Sequence, residues 1–185
     1  MIRCGIDASS SCTGIAIFDD KTLVFYSKIR PENDLGFRNN ACQIVDKILP
    51  VLDKYKVEKI IMEDVPEYAN KGSRGKPLLR MLCTLGAVQG VFYLKIAYES
   101  GYNINYKDVW AWRMKLGFLL GNNRKREEMK QKAIDYANSK FGLDLFFKRD
   151  SKTMKNDDDI AEAICICWTD IMEDPNFEHK HFGRG

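Results

Sequence analysis

What this chain is short of sets the first limits on what it can be. It contains no run of about 18 apolar residues, so no transmembrane helix is expected. It has no Cys-x-x-Cys pair, and its two histidines, His179 and His181, stand in polar sequence close to the C-terminal end. Structural zinc sites draw on Cys and His together, so none is expected. The six cysteines (Cys4, Cys12, Cys42, Cys83, Cys165 and Cys167) fall mostly within apolar periodic stretches, which reads as buried, reduced thiols and not as a disulfide framework. There is no internal repeat and no low-complexity tract. The first residues alternate and then turn, without the charged-then-apolar profile of a secretory signal, so the expected location is the cytoplasm.

What is present is the profile of a soluble globular chain: 185 residues, 45% apolar and 30% charged, enough for one sizeable core. One domain is expected over residues 1–174, with 175–185 as a loosely ordered tail. Ile2, Cys4 and Ile6 alternate with Arg3, Gly5 and Asp7 in the two-residue period of a strand, and residues 8–14 follow as a turn rich in small hydroxyl groups. Residues 15–18 and 23–27 read as a second and third strand around a hairpin turn at 19–21. Phe37, Ala41, Ile44, Val45 and Ile48 recur at helical spacing, and Pro50 is expected to kink or end that helix. Residues 57–62 read as a buried strand, 66–77 as a flexible loop, and 78–98 as a long helix. Its Gly86 and Gly90 each cost about 1 kcal/mol against Ala, which implies close packing on another element. A strand at 103–106, a short helix at 108–116, a charged helix at 124–141, a polar segment at 147–156 and a final helix from about 157 to 172 complete the order. That order describes an α/β protein whose sheet is antiparallel in its first half.

Acids recur where strands leave the core. Asp7 closes the first strand, and Glu63 follows the strand at 57–62. Asp159 and Glu162, three apart on the final helix, share a face, while Ile160, Ala163, Ile164, Cys167 and Trp168 form the stripe that buries. Taken alone, Asp157, Asp158 and Asp159 would simply cap a helix and complement its dipole, contributing ~0.3–1 kcal/mol each. Two strand-end acids beside two helix acids alter the reading, because like charges in a partly buried site repel and shift one another's pKa values. A divalent cation would relieve that repulsion, and an oxygen-only donor set indicates Mg²⁺ or Mn²⁺. Two such ions about 3.5–4 Å apart would clamp the attacking and leaving oxygens of a phosphodiester.

The net charge of +3 is small, but its distribution is uneven. Between residues 107 and 132 stand eight cations (Lys107, Arg113, Lys115, Arg124, Lys125, Arg126, Lys130 and Lys132) against three acids, Asp108, Glu127 and Glu128. Lys71, Arg74, Lys76 and Arg80 form a second cluster with no acid from Ala69 to Leu85. Such patches are either solvated surface or the contact faces for a polyanion. An acidic, metal-binding pocket beside basic patches points to a nuclease. Arg113, Lys125, Arg124, Arg126, Lys107, Lys71, Arg74, Lys76 and the nearby Tyr68 are then the candidate DNA-binding residues.

Three motifs now coincide: Gly5-Ile6-Asp7-Ala8-Ser9 with Thr13-Gly14 and Ala16-Ile17, then Ile61-Met62-Glu63, then Asp158-Asp159-Ile160-Ala161-Glu162-Ala163. In this order the chain resembles the RuvC family of Holliday junction resolvases, within the ribonuclease H-like superfamily, over roughly residues 2–168. The resemblance implies a five-stranded mixed sheet flanked by helices, a homodimer, two Mg²⁺ per active site, and paired symmetrical nicks in a four-way DNA junction. It implies that Asp7, Glu63, Asp159 and Glu162 are the catalytic metal ligands, with Asp158 in reserve. The family usually has Asp where Glu162 stands. Lys107, Arg113 and Lys125 resemble residues that hold scissile or flanking phosphates, and Tyr68 stands nearest the place of an aromatic that enters the junction centre. The segment Trp110-Ala111-Trp112-Arg113 makes the chain look most like the viral or phage members. Other readings remain: a related metal nuclease acting on RNA–DNA hybrids, flaps or branched DNA, an actin-like kinase with a phosphate-binding Ser/Thr-Gly turn, and a non-catalytic DNA-binding module.

Overall fold

The structure, a computed structural model, describes residues 1–64, 76–119, 125–148 and 156–175, with 76–81 as backbone alone. Tyr68, Lys71, Arg74, Arg124, His179 and His181 lie outside the described residues, as do the side chains of Lys76 and Arg80 and most of the tail.

Strand β1 (Ile2–Asp7) is the middle of the sheet. It pairs antiparallel with β2 (Thr13–Asp19), which forms a hairpin with β3 (Thr22–Ile29). On its other side β4 (Lys59–Glu63) and then β5 (Ile104–Lys107) add in parallel, giving the order β3-β2-β1-β4-β5. Parallel neighbours need crossovers, and the helices provide them: α1 (Phe37–Tyr55) precedes β4, and α2 (Lys76–Phe92) precedes β5. The turn of residues 8–14 is shaped by its own hydroxyls. Thr13 Oγ1 donates to the Ser9 carbonyl at 2.8 Å and accepts the Ser9 amide at 3.1 Å, and the Ser9 and Ser11 hydroxyls lie 3.1 Å apart.

The alternation along β1 divides two cores. Cys4 and Ile6, with Ile15, Ile17, Ile60 and Met62, meet Ala41, Ile44 and Ile48 of α1 and Val88 and Phe92 of α2. Ala16, Phe18 and Ile61 face the other way, onto α5 (Asp158–Glu173), and α4 (Arg126–Phe141) covers the outside of that helix. The short α3 (Val109–Lys115) packs beside it. Lying between a sheet and a helix layer, α5 is buried almost all round, from Ile160 through Thr169. Two glycines let it come so close. A Cβ on Gly5 would lie 2.2 Å from the Ala163 carbonyl oxygen, and one on Gly14 would lie 1.8 Å from the Asp159 carbonyl oxygen. At its far end α5 is tied down by the buried Arg3, whose Nε lies 3.4 Å from Asp170 and whose Nη2 pairs with Asp174, and by Lys59, 2.7 Å from Asp170.

Four expectations need correction. Helix α1 runs through Pro50 to Tyr55, because Pro50 and Asp46, whose carbonyl loses its amide partner, both lie on the exposed side of the helix. It ends at Lys56, which adopts φ 54°. The long helix after residue 78 is α2 continued by wider, π-type turns over Tyr93–Glu99. Its Gly86 and Gly90 are exposed, with no described atom within 4 Å of an added Cβ, so no packing within the chain explains them. Asp157 makes no cap bond to its helix. It pairs with Lys28 and accepts the Phe146 amide at 3.1 Å, so it holds a loop to the sheet edge. All six cysteines are free as expected, but Cys83 is exposed on the outer side of α2 and Cys12 and Cys42 are only partly covered.

The glycine geometry gives an opposed pair of outcomes. Gly14→Ala drives a methyl group into helix backbone that cannot yield, and lowers stability by about 3 kcal/mol or more, beyond the common range for overpacking. Gly90→Ala meets no described atom of its own chain and, measured in dilute solution where copies do not associate, gains up to ~1 kcal/mol in helix propensity. Urea unfolding of the two variants checks this, and equal midpoints would refute the close-contact account.

Candidate active site

The hydrogen-bonding register aligns one residue from each strand across the sheet. Asp7 is opposite Gly14, Gly14 is opposite Lys28, and Glu63 is opposite Lys107, with Ile6 opposite Met62 setting Asp7 and Glu63 at the same level. Adjacent strands are about 4.8 Å apart, so Asp7 and Glu63 project side by side toward α5. Gly14 supports the Asp159 backbone directly, which sets the first turn of α5 over the end of β1. Glu162 follows one turn later on the same side and is 7% exposed. The structure therefore brings Asp7, Glu63, Asp159 and Glu162 into one pocket, where Glu162, Glu63 and Asp159 all act electrostatically on Asp7.

Helix α3 closes one wall. Asp108 accepts the Ala111 amide at 2.8 Å and so fixes the helix start. Trp112 is fully buried and donates its indole N–H to Glu63 Oε2 at 3.1 Å. Arg113 stands 4.9 Å over the Trp112 ring and donates to Glu162 Oε1 at 2.7 Å. Its Nε is buried without a hydrogen-bond partner among the described residues. Opposite, Lys130 of α4 pairs with Asp158. From α2, Gln89 donates to the Glu63 carbonyl at 2.6 Å and holds the end of β4.

Burial dominates the titration of this pocket. Asp7 reaches solvent at the mouth but is surrounded by packed atoms, and burial together with the charges of Glu162, Glu63 and Asp159 holds it well above the usual carboxylate range. Burial, with Glu162 beside it, pushes Glu63 up to about 7, against the pull of Arg113 and the Trp112 hydrogen bond. Burial raises Asp159 as well, and raises Glu162 although Arg113 and Lys130 oppose it. Burial works against the charge of Lys130, yet the Asp158 carboxylate outweighs it and keeps that lysine above its ordinary value. Burial, with the Asp159 carboxylate beside it, pushes the Cys12 thiol in the turn after β1 up to about 12, so with Arg30 also near, it stays protonated and is no thiolate ligand.

The donor set suits a hard divalent ion: four carboxylates, no imidazole, and a thiol that stays protonated. As they stand, no three Asp, Glu, His or Cys side chains among the described residues are arranged to hold a metal ion. The ion pairs account for this, because Glu162 is turned onto Arg113 and Asp158 onto Lys130. Two side-chain cations therefore already offset part of the charge that a divalent cation would relieve.

Of the candidate DNA-binding residues, Arg113 lies in the pocket, and Lys125 and Arg126 are exposed where α4 begins. Lys107 bonds Glu173 at 2.6 Å, and Lys115 lies 3.4 Å from the same carboxylate. Sequence reading missed Trp112, Lys130, Cys12 and Arg30 as pocket residues. Lys130 carried a signal, one turn into a helix whose exposed start is basic, whereas an indole aimed at a carboxylate leaves none.

The five-stranded mixed sheet in the order β3-β2-β1-β4-β5, with strand-borne acids facing a final helix, has the ribonuclease H-like fold. Within that class the chain is similar to solved RuvC resolvases. Thermus thermophilus RuvC in complex with a Holliday junction substrate aligns with a TM-score of 0.57 at 18% identity, covering 91% of this chain and 92% of that one. Another T. thermophilus RuvC structure aligns with a TM-score of 0.55 at 17% identity over 91% and 92%. A complex of the fowlpox virus resolvase with Holliday junction DNA gives 0.50 at 17% identity over 93% and 97%. At such identities the likeness establishes the fold. No protein family's sequence profile matches the chain, and no curated protein matches it.

The raised acids make stability depend on pH in a definite direction. Glu63 is ordinarily near 4.5 and stands at about 7 in the folded chain, so the folded state holds the proton more tightly. Its contribution is present below pH 4.5 and lost as pH rises through about 7. In EDTA the melting temperature should fall by a few degrees between about pH 5.5 and pH 7.5. Millimolar MgCl₂ should recover it only at the higher pH, where the carboxylates are ionised. Calorimetry at the two pH values checks this, and a melting temperature indifferent to MgCl₂ at both would remove the acids as a metal site.

Proposed function

We propose that the protein is a divalent-metal-dependent endonuclease that resolves four-way DNA junctions by paired nicks. The observation that carries this reading is the meeting of Asp7, Glu63, Asp159 and Glu162 from three separate elements in one pocket beside exposed cations. The fold shared with junction-bound RuvC supports it. These four carboxylates would hold two Mg²⁺, or Mn²⁺, with Asp158 available if Lys130 releases it. Bound there, such ions supply the Lewis-acid charge for hydrolysing a phosphodiester.

The chain's own residues do the rest. Trp112 and Gln89 hold Glu63 in place through its side chain and its carbonyl. Cys12 lies beside Asp159. Arg113, which now donates to Glu162, would be the donor to a phosphoryl oxygen were that carboxylate to hold a metal, and its Nε, without a partner among the described residues, would give it a further donor. Lys125 and Arg126 neutralise the flanking backbone. The hydroxyls of Ser9 and Ser11 stay in the turn they shape, so no covalent intermediate is invoked. On a synthetic four-way junction, Mg²⁺ should permit cleavage and EDTA abolish it. Asp7→Asn should bind the junction within about threefold of the parent while losing cleavage by ~10³-fold or more. Unchanged cutting by Asp7→Asn would refute the site, and equal cutting of flaps or RNA–DNA hybrids would move the assignment to another metal nuclease.

Nicking two opposed strands needs two active sites related by a two-fold axis, so a C2 dimer completes the proposal. The exposed face of α2 and its π-type extension fits it: Gly86 and Gly90 permit close backbone approach, and Tyr93 and Leu94, 53% and 49% exposed, continue the same surface. Gly90→Trp should halve the mass measured by light scattering, and it should leave single nicks in place of paired ones. A monomeric parent protein at micromolar concentration would overturn the dimer.

A further inference from the structure

Helix α3 has two working sides, of which the pocket uses one. Trp112 and Arg113 reach inward to Glu63 and Glu162. Trp110 and Met114, four apart and therefore on one face, point outward and are 41% and 65% exposed. With a rise of 1.5 Å per residue, Trp110 lies only about 4.5 Å along the axis from Arg113. A polynucleotide whose phosphate reaches Arg113 thus passes within one base of an exposed indole and thioether.

Arg113 and the start of α4 identify the occupant of this apolar pair. Within the segment 107–132, Lys107 and Lys115 pair with Glu173, Arg113 with Glu162 and Lys130 with Asp158, while Lys125 and Arg126 stand exposed at the start of α4. A flat apolar group one turn from a guanidinium that can turn to a phosphate is what an unstacked base recognises, since it offers a π-face and a phosphate together. A second copy of this chain fits less well. Helix α2 covers one side of the sheet and turns its glycine face outward there, whereas α3 packs with α5 on the other side, so Trp110 does not extend the dimer surface.

We propose that Trp110 and Met114 form a platform on which a base splayed from the branch point stacks, making them specificity-determining residues for branched DNA. The assignment rests on the junction-cleaving function proposed above. In continuous duplex every base face is already stacked, so the platform gains a contact only where the helix is interrupted. It would therefore discriminate by structure and not by sequence.

The test uses Asp7→Asn as the parent, so that substrates stay whole, and compares a four-way junction with linear duplexes of the same sequence. Adding Trp110→Ala should weaken junction binding about tenfold and duplex binding by less than about twofold. Trp110→Phe should restore most of the difference, and Met114→Ala should give a smaller loss. A 2-aminopurine at the branch should be quenched by the parent and less so by Trp110→Ala. Equal losses on both substrates, unchanged junction binding, or a change of oligomeric mass in Trp110→Ala would each overturn the platform. A parent that does not prefer the junction over duplex fails earlier, and removes the function together with the platform.

Discussion

The close seating of one helix on bare backbone governs this molecule. Gly5 and Gly14 remove the side chains that would otherwise hold α5 away from β1 and β2, and the helix descends until its carbonyls nearly touch the strands. That contact places Asp159 and Glu162 against acids that lie 152 and 99 positions earlier in the chain, Asp7 and Glu63 respectively. It also buries α5 on all sides, which makes the carboxylates of its first two turns interior groups. Everything chemical about the pocket follows from where the glycines let the helix sit.

Interior acids repel, and the fold answers with two cations and a set of donors. Arg113 holds Glu162, Lys130 holds Asp158, Trp112 donates to Glu63 and Cys12 lies beside Asp159. These four acids thus have companions from α3, α4 or the turn after β1. The arrangement leaves three ways to balance the charge, by protons, by these side chains, or by divalent ions, and they compete for the same oxygens.

The sheet and the order of its elements were legible because strands and helices announce themselves by period. Ile2, Cys4 and Ile6 alternate, Ile160, Ala163, Ile164 and Cys167 recur by helical turns, and both patterns survive in the structure. Pro50 misled because the cost of an internal proline depends on whether its orphaned carbonyl reaches water, and that is set by which side of α1 faces out. Gly86 and Gly90 misled in the opposite way: the same residue type that marks a tight contact at Gly14 stands in the open at Gly90. The acids could be gathered from sequence since each ends a strand or begins a helix. Their companions could not, because Trp112, Lys130 and Cys12 are chosen by tertiary distance, which carries no local period.

The far end of α5 has a consequence for motion. Arg3 and Lys59, on neighbouring strands, grip Asp170, and Arg3 reaches on to Asp174, while Lys28 and Asp157 join the beginning of the same helix to the opposite sheet edge. A rod bolted at both ends cannot swing, so the acids it bears form the fixed jaw of a vice. The lighter jaw is the seven residues of α3, which meet the pocket through the Trp112 indole on Glu63 of β4 and the Arg113 guanidinium on Glu162, and touch the far end of α5 through Lys115 and Glu173.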